Sequence, residues 1–309
     1  MSLSNFNRTH ARGSARVSDR SLRQRSPRIA VVGGDHAGTL ESARQARESL
    51  GMTPILIGDP AAIETKAKGI GWDLGGCDIV AASGDEQTIA TAIAMVVRKD
   101  AEVLMKGGVR TEQLMRGLVK ARGLVRPNRR LSHVYQLRLP GTRRDLLVSD
   151  AGINVNPDVD GKFEITVNAI EAAHRLGLAK PRVALLSAVE YVNPSMPSSA
   201  EAFAVQERIE KASLSCEVHG PLAFDNTISQ SAAKQKGLTG SVAGKADIII
   251  VHSIEVGNAL AKCLIYCAGA AAAGIVLGAK VPIVLTSRSD SDETRINGIV
   301  LASRLAGAW

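Results

Sequence analysis

Aromatic residues make up only 3% of the chain, although 45% of its residues are hydrophobic. The cores must therefore be built from alanine, valine, isoleucine and leucine, a composition that suits helices packed tightly on parallel strands. The four cysteines form no C-x-x-C pair and the six histidines form no cluster with metal-ligand spacing. We therefore predict reduced, buried thiols and no metal site. Cys263 and Cys267 lie one helical turn apart and are predicted to share a face.

Long hydrophobic runs are also scarce, and the first apolar run follows only after Pro27. We therefore predict that the chain has no signal peptide and is cytoplasmic. The most apolar segment lies between Lys262 and Lys280 and carries no charge, which approaches the lower limit for a membrane span. Because this segment is mostly alanine and glycine, we predict a buried helix followed by the approach to a strand.

Acidic residues are nearly absent from the first 28 residues, which contain seven arginines but one aspartate, Asp19. This excess of six arginines accounts for most of the formal net charge of +8, so the rest of the chain is close to neutral. The segment is rich in serine and has no apolar periodicity, so residues 1–27 are predicted to form a disordered basic tail. Nucleic-acid binding is an alternative, but no aromatic platform or groove-reading motif supports it.

Short β-branched runs alternate with stretches of helical periodicity along the rest of the chain. Examples of the runs are Thr53–Ile57, Arg182–Leu186 and Asp247–Val251. This alternation predicts an α/β fold with mainly parallel sheets flanked by helices. The chain length indicates two domains.

One such run, Pro282–Leu285, leads into Ser287, Arg288 and a cluster of acids, after which apolar residues recur at helical spacing. Ser287 and Arg288 are therefore predicted on the turn between the carboxyl end of a strand and a helix, where open α/β sheets bind ligands. Helix-start amides attract anions there, and an arginine can hold a phosphate with its planar fork. The alternative is a plain capping box of Ser289 and Asp292, with Arg288 a solvated charge.

Two further strand-to-helix turns carry polar residues that can contact an anionic substrate. The first turn contains Lys106, Arg110 and Thr111. The second contains Glu255, Gly257 and Asn258. A glycine at position 257 permits a close backbone approach.

Taken together, the motifs of the chain resemble those of the phosphate acetyltransferase and phosphate butyryltransferase family. The matching stretches occur in the family's order and are Met105–Gly107, Asp150–Asp158, Leu185–Glu190, Asn193–Ser198, Gly220–Ser229, Ala243–Asp247, Glu255–Asn258 and Pro282–Asp290. The resemblance spans about residues 29–306. The run after the Ser-Arg pair is most similar to the butyryltransferase branch.

The resemblance implies reversible transfer of a short acyl group, acetyl or butyryl, between coenzyme A and inorganic phosphate within a ternary complex. It implies acyl-CoA, phosphate and acyl phosphate as ligands, no permanently bound cofactor, no nucleic-acid or membrane partner, and usually a homodimer. It also implies a fold similar to the isocitrate and isopropylmalate dehydrogenases, with the active site in a cleft between two domains. We predict a first α/β domain of residues 28–152 plus 289–309 and a second of residues 153–288.

Several residue roles follow from the same resemblance. Arg288 is expected to neutralise the phosphate or the carbonyl that becomes an oxyanion, and Ser287 to donate to the developing charge. Asn154 matches an asparagine of the family and is expected either to orient phosphate or to serve as a plain turn residue.

At the position of the general base this chain departs from the pattern of the acetyltransferases. The acetyltransferases carry an aspartate seven residues after the serine, which is implied to deprotonate CoA, whereas this chain has Thr294 at that position. We predict that Glu293 takes the role, with Asp290 as the second candidate.

Two other classes of function compete with catalysis of acyl transfer. A non-catalytic domain that resembles this family is fused to some malic enzymes and is thought to sense acetyl-CoA, but a pure sensor would not need Ser287 and Arg288. A nicotinamide-dependent dehydrogenase of similar fold would need clustered metal-binding aspartates and a substrate-binding Arg/Tyr/Lys set, and the sequence shows no such arrangement.

Overall fold

Eleven strands form one sheet in a computed structural model that describes residues 26–121, 123–285 and 290–306. The strands are β1 (Arg28–Val32), β2 (Thr53–Gly58), β3 (Asp78–Ala81), β4 (Val103–Lys106), β5 (Ser132–Arg138), β6 (Leu146–Ser149), β7 (Arg182–Leu186), β8 (Glu217–Leu222), β9 (Ile248–Ile250), β10 (Ala271–Leu277) and β11 (Ile283–Val284). Their order across the sheet is β3-β2-β1-β4-β11-β10-β5-β6-β9-β7-β8. Nearly all of the predicted basic tail lies outside the described residues.

The described helices connect these strands and flank the sheet. They are α1 (Ala37–Leu50), α2 (Pro60–Gly69), α3 (Gly84–Val97), α4 (Thr111–Lys120), α5 (Val159–Arg175), α6 (Pro197–Lys211), α7 (Phe224–Ile228), α8 (Gln230–Gln235), α9 (Ile254–Lys262) and α10 (Asp292–Leu305). A π-helical turn at Cys263–Cys267 extends α9. Local signals fix two of these helix ends: Asp59 caps α2 with its side chain ahead of Pro60, and Gly51 ends α1 in the left-handed conformation.

Both flanks of the sheet are parallel, and its centre is antiparallel. The first flank comprises β3, β2, β1, β4 and β11, and the second comprises β6, β9, β7 and β8. Between them, β10 runs antiparallel to β11 and β5, and β5 runs antiparallel to β6. The predicted α/β fold with mainly parallel strands is confirmed. One sheet continues through both predicted domains, and their boundaries stay a prediction.

The two faces of the sheet differ in how they are covered. On the first face, one cluster of buried side chains extends across both flanks beneath α1, α2, α5, α6 and α10. On the second face the core is divided: α3 and α4 cover the first flank, and α9 covers the second. Successive side chains of a strand point to opposite faces. Val134 of β5 therefore belongs to the first face, whereas Tyr135 and Leu137 belong to or border the second.

The most apolar segment is a central strand, and the predicted buried helix there is wrong. Strand β10 pairs along its length with β5, and its alanines and glycine let α10 approach closely. A side chain on Gly298 of α10 would place its Cβ 3.2 Å from the carbonyl oxygen of Gly274. Among the described residues, no helix is long and apolar enough to cross a membrane.

The predicted burial of the cysteines is also wrong. Cys263 and Cys267 are exposed on the π-helical turn, and Cys77 and Cys216 are half-buried. The spacing of Cys263 and Cys267 suggested a packed helix face, but Leu264 is the residue of the π-helical turn that packs into the core, and the two cysteines lie outside that contact.

Candidate active site

The segment that follows β11 in the sequence carries Ser287 and Arg288. β11 lies parallel to β4, with Val284 opposite Met105, so the loop starts at the carboxyl end of the first flank. Ser287 and Arg288 themselves lie outside the described residues. Their role as the reacting pair stays a prediction.

The helix after this loop is capped by Ser291 rather than by the predicted pair of Ser289 and Asp292. The hydroxyl of Ser291 accepts a hydrogen bond from the amide of Thr294 at 3.2 Å. Asp292 is already the first helical residue, and its carboxylate lies 3.2 Å from the guanidinium of Arg295. Ser291 has the extended backbone conformation of an N-cap residue, and Ser289 lies outside the described residues.

The turn after β6 is organised by the buried carboxylate of Asp150. Its Oδ1 accepts hydrogen bonds from the amides of Gly152 (2.8 Å) and Ile153 (3.0 Å), and its Oδ2 accepts one from Nδ2 of Asn154 (2.5 Å). Nδ2 of Asn154 also donates to the carbonyl oxygen of Leu131 at 2.9 Å. Both amide hydrogens of Asn154 are thus used to hold the turn. This arrangement favours the turn-residue alternative for Asn154.

Helix α9 packs directly on the turn that Asp150 organises. A Cβ on Gly257 would lie 2.2 Å from the carbonyl oxygen of Asp150, so only glycine permits this approach. Asn258 donates from Nδ2 to the carbonyl oxygen of Ala151 at 3.3 Å. The predicted turn at Glu255–Asn258 is wrong, because these residues lie inside α9. Two segments more than a hundred residues apart in sequence, one with Asp150 and Asn154 and one with Gly257 and Asn258, are nevertheless brought together.

Glu255 faces away from this contact. It is exposed in the first turn of α9, where hydrogen bonds from its own backbone amide and from the Ser253 hydroxyl lower its pKa. A carboxylate at this position favours the helix start. The geometry gives Glu255 a local role in the helix, and its predicted contact with substrate stays a prediction.

A buried imidazole and phenol occupy the boundary between the two cores of the second face. The rings of His133 and Tyr135 on β5 meet edge to face, with centroids 4.6 Å apart. A Cβ on Gly152 would lie 3.2 Å from the His133 ring, and a Cβ on Gly274 would lie 3.1 Å from both rings. The pair therefore joins the Asp150 turn to the strand beside β11.

Two carboxylates, Asp150 and Asp290, influence the pKa values of this pair. Burial lowers the pKa of His133, and the charge of Asp150 opposes that shift. Burial, together with the charge of Asp290 and the nearby Tyr266, raises the pKa of Tyr135 to about 12. Nδ1 of His133 has no hydrogen-bond partner within the part of the chain that the structure describes. The sequence reasoning missed both residues, although polar side chains two apart on a predicted core strand were a usable signal.

The two predicted bases lie in different surroundings. Asp290 is half-buried, and its charge contributes to the raised pKa of Tyr135. Glu293 is exposed in the first turn of α10. The choice between them stays a prediction.

Lys106, Arg110 and Thr111 line a cleft of about 600 Å³ at the carboxyl ends of β1 and β4. As predicted, they lie on a strand-to-helix turn, since β4 ends at Lys106 and α4 begins at Thr111. His36 and Arg295, which the sequence reasoning did not select, line the same cleft.

Comparison with known proteins gives the family. The profile described as "Phosphate acetyl/butaryl transferase" matches residues 84–303. The chain belongs to the phosphate acetyl/butyryl transferase family. The match covers the Asp150 turn, helix α9 and the loop that carries Ser287 and Arg288, so the family resemblance seen in the motifs is confirmed.

Individual relatives match over nearly their full lengths. A phosphate acetyltransferase of Rhizobium meliloti is 41% identical over 93% of this chain and 91% of its own length. A phosphate butyryltransferase of Clostridium acetobutylicum is 36% identical over 91% of this chain and 93% of its own. The crystal structure of a branched-chain phosphotransacylase from Enterococcus faecalis superposes with a TM-score of 0.79 and 31% identity, covering 90% of this chain and 98% of that one.

Proposed function

We propose that this protein catalyses reversible acyl transfer between coenzyme A and inorganic phosphate. In this reaction the thioester C–S bond breaks and a C–O bond to phosphate forms, while a proton passes from the phosphate to the departing thiolate. The observation that carries the proposal is the packing of α9 on the Asp150 turn, which unites Asn154, Gly257 and Asn258. These residues belong to separate family motifs, and the family match covers all of them.

Arg288 and Ser287 are the residues assigned to the developing charge. An arginine can hold two oxygens of a phosphate or an oxyanion at once, and a hydroxyl can donate to the same charge or to the thiolate. Asp290 follows the pair by two residues, and its charge contributes to the raised pKa of the buried Tyr135. The sequence alone favoured Glu293 as the base, but we propose Asp290 in its place because Asp290 is half-buried whereas Glu293 is exposed.

Transfer takes place directly within a ternary complex, without an acyl-enzyme. Two of the four cysteines are exposed on the turn after α9, and the other two are half-buried thiols whose pKa values are raised by burial. A raised pKa leaves less of the reactive thiolate at neutral pH. No bound cofactor takes part, and CoA is a substrate.

The protein acts in the cytoplasm as a homodimer. Exposed large hydrophobic side chains on the second flank support the dimer: Tyr191, Val192, Phe203 of α6 and Ile228 of α7 are 41–62% exposed. Such side chains are available to be buried by association. The sensing-domain alternative is not favoured, because the named relatives are enzymes that match the chain over nearly their whole length.

The test is CoA release from acetyl-, propionyl- and butyryl-CoA, measured with a thiol reagent, with and without inorganic phosphate. The proposal expects release that requires phosphate and saturates with both substrates, and the ratio of kcat/KM values gives the preferred acyl chain. Intersecting initial-velocity lines are expected for a ternary complex. Release that is independent of phosphate would overturn the proposal, and parallel lines would overturn direct transfer.

A further inference from the structure

Lys162 is the only buried cationic side chain among the lysines and arginines that the structure describes. It is the fourth residue of α5 and is 4% exposed. An ammonium group is costly to remove from water unless it is paired and hydrogen-bonded. Replacing a buried ion pair by apolar residues of similar volume is often neutral or stabilising, so stability alone does not account for a charge at this position.

The ammonium group of Lys162 joins the start of α5 to two other parts of the second flank. Nζ donates to the carbonyl oxygen of Pro157 at 2.6 Å and to Oε2 of Glu201 on α6 at 2.6 Å. The contact with Pro157 is buried, whereas the side chain of Glu201 is 34% exposed. Water can therefore replace Lys162 at Glu201 more easily than at the Pro157 carbonyl, where loss of the donor leaves a buried acceptor unsatisfied.

Pro157 lies near the end of residues 150–158, the segment that links β6 to α5. The start of this segment is held by the carboxylate of the turn after β6. Its middle is held by α9, because the amide of Ile254 donates to the carbonyl oxygen of Val155 at 3.0 Å. Lys162 provides a further attachment at the far end. The position of the segment therefore depends on contacts at its start, middle and end.

The same segment reaches the part of the molecule where the loop that carries Ser287 and Arg288 begins. The side chain of Ile153 packs against the buried cluster that α3 and α4 cover on the first flank. Leu285, two residues before Ser287 in sequence, packs against the same cluster. Because protein interiors are close-packed and transmit strain, a displacement of the segment changes the surface from which the loop starts.

We propose that Lys162 is a positioning residue for acyl transfer. By holding the carbonyl of Pro157, it fixes the far end of the 150–158 segment and keeps Ile153 and Asn154 where the reaction requires them. Lys162 acts through this segment rather than on the substrate. The proposal rests on the proposed acyl-transfer function, and it adds a residue that lies outside the stretch matched by the family's motif.

The test compares Lys162→Met with the wild-type protein in phosphate-dependent CoA release, at a temperature well below the melting temperature of either. Methionine keeps much of the side-chain volume but has no donor for the Pro157 carbonyl. A displacement of about 1 Å in a catalytic site costs roughly 100-fold in rate, so kcat should fall by about 10- to 100-fold. The KM values for acyl-CoA and phosphate should change by less than about threefold, because Lys162 contributes no contact to either substrate.

A double variant, Lys162→Met with Glu201→Leu, separates positioning from a purely structural role. Lys162→Met alone leaves Glu201 without its partner, whereas the double variant removes the ion pair as a unit, which is often neutral for stability. Its melting temperature should therefore lie closer to the wild-type value than that of Lys162→Met. Its kcat should stay low, because the Pro157 carbonyl still lacks its donor. The double variant also provides the test if Lys162→Met does not fold.

The matched control is Asp160→Asn, which removes another ion pair between α5 and α6. Asp160 is bound to Arg208, and their side chains are 73% and 38% exposed. Exposed ion pairs of this kind contribute little to stability. The control should keep the wild-type kcat, KM values and melting temperature.

The outcomes separate this proposal from the proposed function. A wild-type kcat in Lys162→Met, with or without a raised KM, would overturn the positioning role while acyl transfer stands. So would a kcat that recovers together with the melting temperature in the double variant, since that result assigns Lys162 to stability alone. A wild-type protein that releases no CoA in the presence of phosphate would overturn the function itself.

Discussion

Gly257→Ala tests how closely helix α9 must approach the turn after β6. The added methyl would lie 2.2 Å from the carbonyl oxygen of Asp150 and 3.0 Å from Cα of Ala151. Both are backbone atoms that cannot rotate away, so the helix and the turn must separate by more than about 1 Å to reach an ordinary contact of roughly 3.5 Å. Displacements of about 1 Å in a catalytic site cost roughly 100-fold in rate. We therefore expect kcat to fall by about that factor.

Stability should fall less than activity. Overpacking typically costs about 1–3 kcal/mol, and alanine recovers about 1 kcal/mol over glycine in a helix. The net loss of up to about 2 kcal/mol corresponds to a decrease in melting temperature of at most about 8 °C. The assays are phosphate-dependent CoA release and thermal unfolding followed by circular dichroism.

Gly69→Ala is the matched control, because this helical glycine has no atom within 4 Å of the added methyl. It should keep full activity and an equal or higher melting temperature. Wild-type activity and stability in Gly257→Ala would refute the required close approach. A lower melting temperature with full activity would show that the turn supports the fold and not catalysis.

Four further predictions concern charged side chains and the N-terminal residues 1–27. Arg288→Lys should lose kcat almost as severely as Arg288→Ala, by about 100-fold or more, because lysine lacks the planar fork; near-normal turnover would exclude bidentate binding. In the CoA-consuming direction, Asp290→Asn should lose more rate than Glu293→Gln, with a loss that shrinks above the thiol pKa of about 8.5; unchanged pH profiles in both would exclude a carboxylate base. Deletion of residues 1–27 should leave kcat and melting temperature nearly unchanged, and a large loss of either would show that the tail contributes. Burial alone would raise the pKa of Asp247, but hydrogen bonds from Arg182 and Arg144 hold that pKa below its usual value. The stability of the wild-type protein should therefore decline below about pH 4, where this carboxylate becomes protonated. In Asp247→Asn, which has no carboxylate to protonate, that decline should be smaller.

The alternation of short β-branched runs with helical periodicity was enough to predict the α/β fold, because each buried parallel strand is apolar on both faces. It was not enough to predict β10, since Ala271–Leu277 has few β-branched residues and becomes a strand only through pairing with β5. Its small side chains reflect the close approach of α10, a tertiary requirement that local propensity does not report.

In the candidate site, too, some residues could be predicted from sequence motifs and others are recognised only from the fold. Gly257 and Asn258 could be selected from their motif, but their position inside α9 could not, because the helix begins earlier than the glycine suggested. His133 and Tyr135 carry no motif, and their importance comes from what the fold places around them. Arg295 could not be selected from the sequence either, because its proximity to Gly38 depends on a tertiary contact between residues far apart in the chain.

The most direct test of the central claim is the identity of the acyl acceptor. The protein is incubated with acetyl-CoA or butyryl-CoA and ¹⁸O-labelled inorganic phosphate, and the products are identified by mass spectrometry. The account predicts equal amounts of free CoA and acyl phosphate, with the label in the acyl phosphate. Formation of the free carboxylic acid without an acyl phosphate, or CoA release without phosphate, would contradict it.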